Sequence, residues 1–401
     1  MKILHLCNKI PYPPIDGGAI AVLNLARLLA EKGHEVWIMA MNTGKHRIGE
    51  KEIPEELLKS IHFVYFSVDS RIRPLKLMTN LIFSAEPYNA VRFHNRNFAE
   101  KLTDLLNREK FDIIQMEGLY LKWYISTIRK NHAGKIVYRA HNIESEIWTE
   151  LARQRKNPVE RSYFRIIARR MRKYEQDMIN RYDLLLPISE HDEAVLESMG
   201  NIKPSHITHT HIPDAGFHMA VSPVNHNLFF IGALDWIPNQ EGLIWFLEKV
   251  WQVLKKEIPQ LEFHIAGRNA PGWIGKKCKR YKAVFHGEVA SSYDFFDRNG
   301  IMIVPLFAGS GLRIKIIEAM ARSKAIVSTS KAVQGLPLTN GKEILIEDDE
   351  RMMKESICKL LEDPGKCLQL QKTAYDFVSM NFRSNFVVDN LLYFYCEQGV
   401  C

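Results

Sequence analysis

Residues 302–321 read Met302-Ile303-Val304-Pro305-Leu306-Phe307-Ala308-Gly309-Ser310-Gly311-Leu312-Arg313-Ile314-Lys315-Ile316-Ile317-Glu318-Ala319-Met320-Ala321. A short continuous apolar run ends at Pro305, a loop of small residues follows, and an amphipathic stretch begins near Gly311. An uninterrupted apolar strand belongs to a sheet covered on both faces, which is the habit of parallel sheets. Glycines in the loop let backbone approach a ligand closely, and the free N–H groups of a helix start favour phosphate. Arg313 and Lys315 fall in the expected first turn, where the helix dipole disfavours cations by about 0.3–1 kcal/mol each. Two cations placed against that preference point to a bound anion. Glu318 follows Lys315 by three residues and can share its face; buried there, it could accept hydrogen bonds from ribose hydroxyls. Spacing alone also fits a solvent-exposed helix start with a Glu–Lys pair.

The same rhythm runs through the chain. Apolar runs that predict strands are Lys2–Cys7, Glu35–Ala40, His62–Phe66, Asp112–Met116, Lys135–Arg139, Leu184–Pro187 and His206–His209. In the second half they are Leu228–Ala233, Glu262–Ala266, Ala283–His286, Met302–Pro305, Ala325–Ser328 and Glu343–Ile346. Amphipathic stretches such as Ala19–Lys32 and Gly242–Lys256 lie between them. The expected class is α/β: two doubly wound, Rossmann-like domains facing each other across a cleft, with ligands beyond the carboxyl ends of the strands. A break within His218–Asn227 sets the first domain at 1–222, completed by an aromatic helix at 378–401, and the second at 223–377.

Composition narrows the class. Of 401 residues, 46% are hydrophobic and 25% charged, which excludes a disordered or collagen-like chain. No apolar run approaches the ~20 residues that span a bilayer, and the first strand turns polar at Asn8-Lys9, too soon for a signal-peptide core. Six cysteines (Cys7, Cys278, Cys358, Cys367, Cys396, Cys401) form no CxxC pair, which predicts free thiols in a reducing cytoplasm. The net charge is +8, and the excess sits mainly in residues 1–220, with 32 basic against 26 acidic residues. From Arg153 to Lys173 nine basic residues face one acidic residue, Glu160. Arg71, Arg73 and Lys76 are interleaved with Leu75, Leu77, Met78, Leu81, Ile82 and Phe83. Together these stretches could hold the protein on the inner face of an anionic membrane, where a lipid-linked acceptor would sit; two ordinary helices packed on the sheet would look similar.

The 305–321 segment resembles the donor-nucleotide signature of the GT-B glycosyltransferases, in particular glycosyltransferase family 4. Pro13-Pro14-Ile15-Asp16-Gly17-Gly18 resembles the family's glycine-rich first loop, and Arg139-Ala140-His141-Asn142-Ile143-Glu144-Ser145 its strand-end histidine segment. Phe230-Ile231-Gly232-Ala233-Leu234 is similar to the opening strand of the donor domain, and Ile265-Ala266-Gly267-Arg268 and Phe285-His286-Gly287-Glu288-Val289 to the next two. The resemblance implies that Gly18, beside Asp16 and Gly17, brings backbone to the donor phosphates and acceptor. It implies that His141, beside Asn142, contacts the donor sugar, that Glu318 holds the ribose, and that Gly287 and Val289 border the base. Gly232, Arg268, Gly309, Ser310, Gly311 and Leu312 would complete the donor site.

Two departures are instructive. The first glutamate of the family's paired motif falls at Ser310, so sugar recognition rests on Ser310 and the N–H groups of Gly309–Leu312. The Arg and Lys that many members carry after the opening strand are replaced by Ala233-Leu234-Asp235-Trp236-Ile237-Pro238-Asn239, so Arg313 and Lys315 would take over the diphosphate. The reading is a retaining hexosyltransferase. It takes a nucleotide-diphosphate sugar (UDP- or GDP-linked) and a hydroxyl of a glycan or lipid-linked saccharide, in cell-surface polysaccharide biosynthesis. No metal is expected, since cations and a helix start can stabilise the departing diphosphate and no Asp-x-Asp triplet occurs. Nucleic acid is not an expected partner. A nucleotide-sugar epimerase and a silent nucleotide-sugar-binding protein share the architecture. Gly335–Glu343 imitates a phosphate loop with the wrong spacing, and His206, His209 and His211 lack a completing ligand for zinc.

Overall fold

The computed structural model describes the chain except residues 15, 45, 46, 50, 51, 156, 210, 220–226, 310, 311 and 401. It consists of two units, Met1–His211 with Asn385–Cys401, and Ile212–Ser384.

The first unit holds β1 (Lys2–Cys7), β2 (Glu35–Thr43), β3 (Ile61–Val68), β4 (Ile113–Glu117), β5 (Lys135–Ala140) and β6 (Leu184–Pro187). They form one parallel sheet in the order β3-β2-β1-β4-β5-β6. Every residue of β4 and β6 is buried, which is why these runs do not alternate. Its helices include α1 (Gly17–Glu31), α2 (Pro74–Phe83), α3 (Glu144–Gln154) and α4 (Pro158–Gln176).

The second unit repeats the plan with β7 (Asn227–Ile231), β8 (Glu262–Ala266), β9 (Val284–Gly287), β10 (Ile301–Val304), β11 (Ala325–Ser328) and β12 (Leu345–Ile346). Its parallel order is β12-β11-β10-β7-β8-β9. Its helices include α5 (Ile237–Trp245, continued through a π turn at Phe246–Trp251 to Glu257), α6 (Ser292–Arg298), α7 (Ile314–Ala321) and α8 (Pro364–Asn381). Each sheet reverses direction between its first and fourth strands, β1/β4 and β7/β10, and such switch points leave a crevice beyond the strand ends.

The division differs from the sequence expectation at both joints. Ile212 donates its N–H to Phe382 (2.8 Å) and accepts from Ser384 Oγ (2.8 Å), and His218 N–H reaches Ala321 (2.9 Å). The segment from Ile212 therefore belongs to the second unit, with α8 and Phe382; the expected joint at 222/223 lies outside the described residues. α9 (Ser384–Glu397) returns to the first unit, where Val388, Leu391, Phe394 and Tyr395 enter the core around β1. His206–His209 is not a strand. Leu185 N–H reaches Pro204, His206 N–H reaches Leu185 and Thr208 N–H reaches Pro187, but Pro187 has no N–H to return, so the ladder stops at one bridge, Leu185 with Ser205. Cys7, Cys278, Cys358 and Cys367 are free. Cys396, exposed near the end of α9 rather than packed in a core, is disulfide-bonded, which corrects the free-thiol expectation there.

Gly242 lies where α5 crosses the end of β10, and a Cβ there would collide with the Pro305 carbonyl. Gly242→Ala is expected to lower the stability of the second unit by about 1–3 kcal/mol in urea unfolding. Unchanged stability would contradict this packing.

Candidate functional site

In the first unit the groups gather beyond β1 and β4. Asp16 caps α1, accepting from Ala19 N–H (2.9 Å), and its other oxygen pairs with Lys9 (2.5 Å). Gly17 and Gly18 form the first residues of α1. Among the described residues a Cβ at Gly18 would meet only Asp16 Oδ1 at 3.5 Å and Lys9 Nζ at 3.8 Å, so their packing does not demand glycine there.

His141 follows β5, and its Nε2 lies 2.7 Å from Glu117 Oε2, at the end of β4. Glu117 also contacts His5 Nδ1 (2.7 Å) and accepts from Gln115 Nε2 (2.6 Å), and fully buried Arg139 stands 3.7 Å away. Gln115 accepts in turn from Tyr395 of α9 (2.9 Å). Burial alone would push the Glu117 carboxyl up, but the Arg139 charge and the His141 and His5 contacts hold it well below the usual range. Burial pushes the His141 imidazolium below its ordinary value against the pull of Glu117. Neutral His141 that donates from Nε2 to Glu117 keeps Nδ1 as an acceptor. Asn142 lies half-buried beside it. The first amides of α3, at Glu144 and Ser145, donate to Glu175 of α4 (2.6 and 3.1 Å), so that helix start is already satisfied.

In the second unit the strand ends form a glycine ledge. Gly232 N–H reaches Ala266 O after β7, and Gly267 N–H reaches Gly287 O at the end of β9. A Cβ at Gly267 would collide with the Gly232 carbonyl. Lys315 extends from α7 to this ledge: its ammonium donates to Ile231 O (3.2 Å) and Asn239 Oδ1 (3.0 Å) and lies 4.6 Å from the Phe230 ring. A Cβ at Gly232 would approach Lys315 Nζ at 3.2 Å and Asn239 Nδ2 at 2.9 Å. Burial, with Arg313 adding repulsion, pushes the Lys315 ammonium down to about 7. Arg313, buried and lowered to about 10 by desolvation, stacks at 5.3 Å on Trp236. Gly309 has φ +105° and a Cβ there would strike the Trp236 ring at 2.6 Å. Glu318 is half-buried, its carboxylate forms no hydrogen bond or ion pair among the described residues, and burial raises it to about 7.

Some expectations change. α7 begins at Ile314 rather than near Gly311, which makes Arg313 the cap residue and leaves only Lys315 in the first turn. Lys315 pairs with the end of β7, not with Glu318. Ser310 and Gly311 lie outside the described residues; Leu312 is half-buried. Arg268 is exposed, and its carbonyl accepts from Leu234 N–H (2.9 Å). A cavity of about 400 Å³ beside β8 and β9 is lined by His264, His286, Phe295 and Arg298; among the described residues expected at the donor site, Val289 alone reaches it. Sequence reasoning missed Glu117, Asn239 and Trp236. A glutamate closing an apolar run, Ile113-Ile114-Gln115-Met116-Glu117, was the one local signal for the first.

Such an arrangement defines a GT-B glycosyltransferase. The chain matches the models for Glycosyltransferase Family 4 over residues 15–211 and for Glycosyl transferases group 1 over residues 225–363; it belongs to the family 4 type. It is 26% identical to a 44.6 kDa protein in the cps region of Klebsiella pneumoniae, over 97% of this chain and 98% of that one. The fold is similar to that of Anabaena Alr3699/HepE, solved in complex with UDP (TM-score 0.71, 13% identity, 99% and 100% of the chains). It is also similar to sucrose-phosphate synthase from Thermosynechococcus elongatus (TM-score 0.70, 15% identity, 99% of each). Among the described residues no helix is long and apolar enough to cross a membrane.

Glu117→Ala would leave Arg139 buried without its carboxylate, and removing one partner of a buried pair costs about 3–5 kcal/mol. Denaturant unfolding should show that loss, with a smaller one for His141→Ala. A cost under about 1 kcal/mol for Glu117→Ala would mean that the pair is not buried as described.

Proposed function

We propose that the chain transfers a hexose, with retention of anomeric configuration, from a uridine-diphosphate sugar to a hydroxyl of a growing glycan or lipid-linked saccharide. The observation that carries this reading is Lys315, whose ammonium sits at the end of β7 beside Gly232. That is the strand end after which many family members carry the arginine and lysine that Ala233–Asn239 replaces here. The HepE complexes with UDP and with UDP-glucose support uridine and a hexose, and the cps-region relative supports surface polysaccharide as the product.

In this reading Lys315 and Arg313 meet the charge that grows on the diphosphate as the glycosidic bond breaks, in a partly desolvated site where such charges act strongly. Glu318 accepts the ribose hydroxyls. Gly18 leaves room for the donor and acceptor, and Val289 and Gly287 border the base. His141, oriented by Glu117, contacts the sugar near the reacting carbon. Transfer requires no divalent ion.

Calorimetric titration with UDP tests the donor assignment. Arg313→Ala with Lys315→Ala should weaken binding by more than ~10-fold, since hydrogen bonds to charged groups contribute about 1.5–3 kcal/mol. Unchanged affinity would sink it. EDTA should leave the wild-type affinity unchanged.

The same titration should be bell-shaped in pH around about 7. Glu318, raised, becomes an acceptor carboxylate only as pH rises through its value. Lys315, lowered, loses its charge as pH rises through its own. Glu318→Gln should flatten the acid limb and Lys315→Ala the alkaline limb; a flat profile in the wild type would contradict both roles.

A further inference from the structure

The helix α2 is unusual among the described helices of its length in contributing no buried residue. Leu75 is 80% and Phe83 84% exposed, and Ile72, Met78 and Ile82 are also largely in solvent. Leu75, Met78 and Ile82 follow helical spacing and form one outward stripe, while Leu77 and Leu81 are half-buried. Leaving large aliphatic and aromatic groups in water on one ordered turn after another is unfavourable unless something else covers them.

The adjoining element is cationic. Arg170 of α4 donates to the carbonyls of Asn80 (3.1 Å) and Leu81 (2.7 Å), which ties α4 to the C-terminal turn of α2. Arg161, Arg165, Arg169, Arg172 and Lys173 are exposed along α4, and Lys76 is exposed on α2. The acids at these two helices sit at their ends: Glu160 opens α4, Asp177 follows it and pairs with Lys122 (3.6 Å), Glu86 lies just beyond α2, and Asp69 is already paired with Arg71 (3.0 Å) and Arg73 (2.8 Å), while Glu175 is buried under α3.

We propose that α2 and the exposed side of α4 dock this protein on an anionic lipid bilayer, with the Leu75–Phe83 stripe at the acyl boundary and the α4 cations among the headgroups. A stripe of large apolar side chains next to a row of arginines is the composition of an interfacial helix. Arginine and lysine stems can cover apolar surface while their charges stay in the headgroup layer. A second copy of this chain is a poor occupant, because a two-fold contact would set the same cations against themselves. A nucleic acid would match the cations but not the exposed leucine and phenylalanine. The inference is independent of the donor assignment.

The test is flotation of the full chain with vesicles of phosphatidylcholine alone and of phosphatidylcholine with phosphatidylglycerol, with UDP affinity measured on the same preparations. The chain should float with the anionic vesicles only and be released by salt. Each cation removed should weaken partitioning by about fivefold. Arg165→Glu with Arg169→Glu, and separately Leu75→Asp with Phe83→Asp, should abolish flotation and leave UDP affinity unchanged. Three outcomes would overturn the proposal: no flotation with either vesicle, equal flotation with both, or flotation unaffected by the Leu75 and Phe83 substitutions. Self-association abolished by those substitutions would assign the patch to a second copy, and displacement from vesicles by equimolar duplex DNA would assign it to nucleic acid; either result also overturns it.

Discussion

A parallel strand can be followed by its neighbour only after the chain has crossed one face of the sheet. In both units the crossings go one way from the first strand and the other way from the fourth, so β1/β4 and β7/β10 open a crevice at the carboxyl ends. Asp16 and Gly18 follow β1, Glu117 ends β4, Gly232 follows β7, and the 305–313 loop follows β10. The groups are far apart in sequence and neighbours within each unit for this reason alone. Burial of the sheets on both faces then supplies the low-dielectric setting that moves Lys315, Glu318 and His141 away from their ordinary titration ranges.

The two halves solve different problems. In the first, a carboxylate is fully desolvated and must be compensated, and Arg139, His5, Gln115 and His141 do so together. Both Glu117 oxygens are contacted, whereas His5 Nε2 and two guanidinium nitrogens of Arg139 have no hydrogen-bond partner among the described residues, so the compensation is centred on the carboxylate. In the second, Lys315 donates to a carbonyl and an amide oxygen, and among the described residues no carboxylate is paired with its ammonium, so nothing there offsets the burial that lowers it to about 7.

Much of this was legible in the sequence. Strands covered on both faces are continuous apolar runs, so β1, β6, β8 and β11 could be bounded almost to the residue, and the glycine loops marked the strand ends that matter. The rest depends on partners distant in sequence. Nothing near Ile212 announces that it will pair with Phe382 and Ser384, and His206–His209 reads as a strand until Pro187 is seen to withhold the next N–H. Glu117 escaped notice because a charge at the end of an apolar run reads as a boundary. Only the fold brings His5, Gln115 and His141 around it. Lys315 was legible as a cation beside the glycine loop but not as one that reaches back to β7.

The return of α9 has a consequence for the order in which the protein is made. Tyr395 closes the chain of hydrogen bonds that runs through Gln115 and Glu117 to His141, yet it is translated after the whole of the second unit. On the ribosome the first sheet must wait, with the apolar surface that Val388, Leu391 and Phe394 will cover still open, while residues 212–384 are synthesised. The contacts among His5, Gln115, Glu117 and His141 lie within the first 141 residues, so what comes last is the Tyr395 hydroxyl that holds Gln115 from behind.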